Sequence, residues 1–247
     1  MKATLIQMDI KWADSAANQK AAEQAILNAP KSDIYILPEM WSTGFATHPE
    51  NIAESDGNSL AWMNKMSKEL DAAVCGSIAV YENGHFYNRF YFVTPDNEPR
   101  HYDKRHLFTY GNEHHSYTSG DKRVIVTWRG VRFLLQICYD LRFPCFSRNK
   151  NDYDAIIYVA SWPESRIHVW NTLLCARAIE NQCYVIGVNR IGNDPTCKYN
   201  GCSKAYDAYG RIMVSCDDNC ATTMTFDIDM EKLNSFRKKF PVLHDRD

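Results

Sequence analysis

The chain has 247 residues, 45% of them hydrophobic, and its 28 Lys and Arg against 30 Asp and Glu give a formal net charge of −2. That is apolar material enough for a sizeable core and argues against disorder. With no basic excess and no polybasic run, nothing points to nucleic acid or an anionic membrane surface.

Lys2 to Met8 reads as an apolar strand. Residues 1–6 are too short an apolar run for a signal peptide, and no stretch approaches a membrane span, so a cytoplasmic protein is expected. Ser15 to Asn28 carries Ala17, Ala21, Ala22, Ala25 and Ile26 at helical spacing, with Asp14 or Ser15 as cap and Pro30 just beyond. Ile34 to Leu37 is a continuous apolar run of the kind buried on both faces, and it stops at Pro38-Glu39. A second helix spans Ser59 to Leu70. Ala72 to Val80, His85 to Thr94 and Glu98 to Tyr102 read as three strands, the first two joined by a turn at Asn83-Gly84.

A polar and aromatic stretch follows from Asp103 to Asp121, long for a loop and therefore a functional candidate. Lys122 to Trp128 and Val131 to Ile137 form a hairpin across Arg129-Gly130, and Phe143 to Asn149 reads as a short helix. Ala155 to Ala160 is a strand ending at Ser161-Trp162-Pro163. Arg166 to Glu180 is a helix, and Tyr184 to Asn189 another strand. Ser203 to Tyr206, Ile212 to Ser215 and Thr222 to Ile228 read as a meander, and Met230 to Lys239 as a closing helix. Alternating strands and helices with interleaved hairpins imply an α/β fold with mixed sheets. No linker, repeat or composition shift divides the chain, so residues 1–247 are expected to form one domain.

Three reactive residue types stand at or just past strand ends: Glu39, Lys104 and Cys138. In α/β sheets that edge is where ligands bind. A carboxylate beside a thiol can take its proton. An ammonium lowers a cysteine pKa from about 8.5 and stabilises an oxyanion. Each residue alone also has an ordinary reading, as buried packing for the cysteine or as a solvated loop residue for the other two.

The surrounding words resemble the nitrilase, or carbon–nitrogen hydrolase, superfamily. Leu37-Pro38-Glu39-Met40-Trp41-Ser42-Thr43-Gly44-Phe45 is similar to its glutamate motif. Asp103-Lys104-Arg105-His106-Leu107-Phe108 is similar to its lysine motif, and Cys138-Tyr139-Asp140-Leu141-Arg142-Phe143-Pro144 to its cysteine motif. The resemblance runs through Ala176-Arg177-Ala178-Ile179-Glu180-Asn181. It implies an α-β-β-α sandwich with mixed sheets, dimerised through a helix layer, acting without a metal or organic cofactor. It also implies that Glu39 is the general base, Lys104 the oxyanion partner, Cys138 the nucleophile and Glu113 a substrate-positioning second glutamate. The words around Cys138 and Val159-Ala160-Ser161-Trp162-Pro163 look most like the omega-amidase branch, which implies small amide substrates such as 2-oxoglutaramate and 2-oxosuccinamate. Many relatives carry Glu where this chain has Cys145.

Tyr139, Arg142 and Trp162 are further substrate-positioning candidates. Arg142 suits a distal carboxylate, because a guanidinium forks onto one, or it pairs with Asp140 to lock the turn. Arg166 is the next candidate. Aliphatic amidase, N-carbamoyl hydrolase and nitrilase activities remain open within the superfamily. A different class is a thiol-rich zinc module built on Cys197, Cys202, Cys216 and Cys220, with Cys202 inside a strand-like run. The nine cysteines are odd in number and no signal peptide is expected, so reduced thiols are expected.

Overall fold

The apolar runs assemble into two six-stranded sheets in the computed structural model, which describes residues 1–245. In the first sheet β1 (Lys2–Gln7), β2 (Ile34–Ile36) and β3 (Ala73–Glu82) run parallel, and β4 (His85–Thr94) and β5 (Asn97–Asp103) add antiparallel. Asn83 and Gly84, with φ of +52° and +84°, make the tight β3–β4 turn. The second sheet holds β6 (Ile125–Trp128), β7 (Val131–Ile137), β8 (Ala155–Ala160) and β9 (Tyr184–Asn189), the last three parallel. A separate hairpin of β10 (Ile191–Asn193) and β11 (Lys198–Asn200) follows, then β12 (Lys204–Tyr206) and β13 (Ile212–Ser215), which extend the second sheet. The last strand, β14 (Thr222–Asp227), pairs antiparallel with β1.

Alternate residues of each strand face opposite ways. Ala3, Leu5, Ile36, Phe90 and Phe92 from the first sheet meet Phe133, Leu135, Ile137, Ile157 and Val188 from the second in one shared core. The outward face of the first sheet (Ile6, Tyr35, Val74, Val93) is covered by α1 (Ser15–Asn28) and α2 (Asn58–Leu70), through Ala22, Ile26, Trp62, Met63 and Met66. Short helices α3 (Glu113–Ser116) and α4 (Pro144–Ser147) lie in the connections. α5 (Ile167–Asn181) covers the outward face of the second sheet with Trp170, Leu174 and Ala178 against Ile156, Tyr158 and Val185. α6 (Met230–Lys239), capped by the Asp229 side chain, sends Leu233 into the core between the sheets. This is the expected α-β-β-α sandwich.

Four expectations need correction. Thr222 to Ile228 is not the third strand of a meander; it crosses to the first sheet. The β10–β11 hairpin was not expected, because its strands are short and interrupted by Gly192. The stretch after β5 is not a structureless loop: a 3-10 turn at Thr109–Gly111 leads into α3. Cys202 lies outside any strand, with φ of +59°. No described helix is long and apolar enough to cross a membrane.

Candidate active site

Glu39 follows β2 in a turn fastened to β3. The Ser77 hydroxyl accepts from the Met40 N–H at 2.9 Å, and the Trp41 N–H donates to the Ser77 carbonyl at 3.1 Å. Gly76 makes this approach possible, since a Cβ there would lie 2.9 Å from both Leu37 and Trp41 side-chain carbons. Lys104 stands one residue past β5, and its N–H donates to the Asn88 carbonyl at 2.9 Å. Cys138 opens a 3-10 turn, Cys138–Arg142, directly after β7, with φ of +44°.

These strand ends meet in the interior. The Lys104 Nζ donates to Glu39 Oε1 at 2.9 Å and to both Glu113 oxygens at 3.0 and 2.9 Å, and all three side chains are fully buried. Asn88 Nδ2 donates to Glu39 Oε1 at 2.8 Å, and the Ser161 N–H donates to Oε2 at 2.7 Å. Every oxygen of Glu39 is thereby held. Asn88 was missed in the sequence; its only signal there is a polar residue amid the aromatics of β4.

Burial by itself would push the Lys104 ammonium down, but Glu113 and Glu39 outweigh it and hold the group well above the ordinary lysine range. Burial pushes the Glu113 carboxyl up, against the pull of Lys104. Burial, then the Glu39 charge, push the Cys138 thiol well above its usual value, and Lys104 offsets them only in part. Lys104 lowers this thiol, as expected, but by less than burial and Glu39 raise it.

Glu39, Lys104 and Cys138 lie on the wall of a cavity of about 410 Å³ that is also lined by Trp12, Phe45, Phe108 and Tyr199. A cavity of this size and apolar character suits a small ligand. Tyr139, Arg142, Trp162 and Arg166 line it as well, whereas Glu113 stands behind Lys104 and outside it. Trp162 is fixed by Asn189, whose Oδ1 accepts from the Trp162 N–H at 2.7 Å and whose Nδ2 donates to the Trp162 carbonyl at 3.0 Å. The Arg142 guanidinium lies 5.1 Å from the Trp162 ring centroid, and that of Arg166 lies 5.5 Å from Phe108. Among the described residues neither arginine has a carboxylate partner; Asp140 is occupied by Tyr102 and His106 instead.

The four cysteines proposed for zinc do not converge. Cys197 lines the cavity, Cys220 is exposed, and the buried Cys202 donates to Asp218 at 2.8 Å. No three His, Cys, Asp or Glu side chains group as metal ligands among the described residues. Cys145 is exposed on α4.

The carbon-nitrogen hydrolase family model matches residues 2–238. The chain belongs to the carbon-nitrogen hydrolase family. Omega-amidase YafV of Yersinia enterocolitica is 42% identical, with 100% of this chain and 97% of the relative covered. The 2-oxoglutaramate amidase of Bacillus subtilis (strain 168) is 33% identical, with 97% and 95% covered. The crystal structure of XC1258 from Xanthomonas campestris, a CN-hydrolase superfamily protein with an arsenic adduct in its active site, superposes with a TM-score of 0.96 at 38% identity, covering 100% of this chain and 97% of that one. As a carbon-nitrogen hydrolase the chain is an enzyme that acts on amide-type bonds, and the cavity wall bearing buried Glu39 and Lys104 and the partly buried Cys138 is where this fold brings reactive groups together.

Proposed function

We propose that this carbon-nitrogen hydrolase is an omega-amidase, releasing ammonia from monoamides of small dicarboxylic acids such as 2-oxoglutaramate and 2-oxosuccinamate, with residues 1–247 as one catalytic unit. The observation that carries the reading is a cavity ending on Cys138 and bearing two arginines without carboxylate partners among the described residues. The omega-amidase and 2-oxoglutaramate amidase relatives support it.

In this reading Cys138 Sγ attacks the amide carbon and its proton passes to Glu39. The developing oxyanion is held by the Lys104 ammonium and the Tyr139 N–H. Glu39 returns the proton to the leaving nitrogen, ammonia departs, and a thioester remains on Cys138. Glu39 then takes a proton from water, which attacks the thioester, and the acid and the free thiol are released. Glu113 keeps Lys104 charged and in place. Arg142, over the Trp162 ring, binds the distal carboxylate, with Arg166 in the same cavity lining as a second cation. Tyr139 closes one wall, its ring 5.1 Å from Phe108.

The reading places the enzyme in the cytoplasm, where nine unpaired cysteines are at home. It also takes the enzyme as a homodimer. Ile179 on α5, Tyr209 and Ile212 around the β12–β13 turn, and Phe240 after α6 are each half or more exposed, and would supply the apolar contact. An ammonia-release screen over 2-oxoglutaramate, 2-oxosuccinamate, hexanamide, small nitriles and N-carbamoyl amino acids tests the substrate class. The keto-acid amides should give the highest kcat/KM; a clear preference for a nitrile or a carbamoyl compound would overturn the reading.

A further inference from the structure

Asp140 lies two residues past the Cys138 thiol and is completely buried. Its carboxylate has four donors. Oδ2 accepts from the Ile137 N–H at 3.0 Å and the Tyr102 hydroxyl at 2.7 Å. Oδ1 accepts from the His106 N–H at 3.0 Å and from His106 Nδ1 at 2.7 Å. A carboxylate only accepts, so Nδ1 carries the ring proton.

These donors belong to two segments. Ile137 ends β7 immediately before Cys138, while Tyr102 and His106 stand two residues to either side of Lys104. The Tyr102 hydroxyl also accepts from the Arg105 N–H at 3.0 Å. Asp140 therefore fastens the strand end carrying the ammonium to the turn carrying the thiol. The imidazole is itself fixed in plane, stacked 4.0 Å from Phe143 at 10° and edge-on to Phe146 at 5.6 Å. Cys138, at φ of +44°, has a backbone conformation that persists only where its surroundings over-determine it.

We propose that His106, acting through Asp140, is a positioning residue that sets the Lys104 ammonium against the Cys138 thiol. It touches neither substrate nor reacting atoms, and its bearing on turnover rests on the amidase reading above. The charged groups that face the thiol are Glu39, Lys104 and Glu113; His106 acts on them through geometry alone.

Two substitutions separate positioning from packing. His106→Phe keeps the stack on Phe143 and deletes the Nδ1 donor, whereas His106→Asn retains a donor close to Nδ1. In His106→Phe, kcat for 2-oxoglutaramate should fall by about 10²-fold, the scale of a misplaced reacting group, with KM little changed. Alkylation of Cys138 by iodoacetamide should shift to higher pH, because Lys104 favours the thiolate less when displaced. His106→Asn should recover most of both. Tyr102→Phe removes the other side-chain donor to Asp140, should move both readouts in the same direction, and decides the matter if His106→Phe does not fold. Unchanged kcat and an unchanged alkylation profile in a folded His106→Phe or Tyr102→Phe protein would overturn the proposal. So would equal losses in His106→Phe and His106→Asn that follow the melting temperature. If the wild type releases ammonia from no amide, the amidase reading fails, and the alkylation profiles alone still decide the brace.

Discussion

At the scale of single residues, the cavity sets out a division of labour. Burial and the Glu39 charge push the Cys138 thiol up, and Glu39 is tied to Lys104, Asn88 and Ser161. Alkylation of Cys138 should accordingly be slow at neutral pH and still be rising above pH ~10, where an unperturbed thiol of pKa about 8.5 has levelled off. Cys138→Ala should leave no turnover and no acyl adduct by intact-protein mass spectrometry, against an adduct on the wild type. Glu39→Gln should lose about 10²–10⁴-fold in kcat, since an amide cannot shuttle protons; activity within tenfold of wild type would move the proton chemistry elsewhere. Arg142→Met should raise KM for 2-oxoglutaramate by about 10–100-fold, the worth of a charged hydrogen bond, and leave hexanamide nearly unchanged. Equal losses on both amides would make Arg142 structural. Glu39 and Cys138 were legible as reactive side chains just past apolar runs, and Lys104 as one just past the polar strand from Glu98 to Tyr102, each inside a word that resembles a family motif. Asn88 and the Ser161 N–H were not. One asparagine on a strand, or one main-chain donor, does not say which distant carboxylate it will meet.

At the scale of elements, the strands buried on both faces were readable as continuous apolar runs, and the helices as interrupted ones. What local periodicity could not carry was the choice of partner. β14 has the pattern of an ordinary strand and nothing in it names β1 over β13. β10 and β11, three residues each, are too short to show a period, yet the segment between them supplies Pro195, Thr196 and Cys197 to the cavity wall. Close approach is a constraint of the same scale. α5 lies so tightly on β9 that a Cβ on Gly187 would stand 2.5 Å from Leu174 Cδ1 and 2.7 Å from Trp170 Cζ2. Gly187→Ala should cost about 1–3 kcal/mol, as overpacking does. It should appear as a lower urea midpoint with an unchanged slope.

At the scale of the whole molecule, the two sheets share a core, and the reactive strand ends come from both of them. Glu39 and Lys104 belong to the first sheet and Cys138 to the second, so the cluster exists only while the sheets are docked. If the exposed apolar residues on α5, around the β12–β13 turn and after α6 form the dimer contact, Ile212→Asp should give a monomer by sedimentation. A dimer of unchanged mass would place the contact elsewhere. The pairing of β14 with β1 carries a further consequence, for synthesis. The edge of β1 is made with the first seven residues, but its partner begins at Thr222. At translation speeds of about 5–20 residues per second, that edge stays open for roughly 10–40 s as the chain emerges. An open strand edge is a template for wrong pairing. A nascent chain of this enzyme thus carries an open β1 edge until Thr222–Asp227 has emerged, and the ribosome-bound intermediate lacking β14 and the α6 that follows it is the species a chaperone would have to shield.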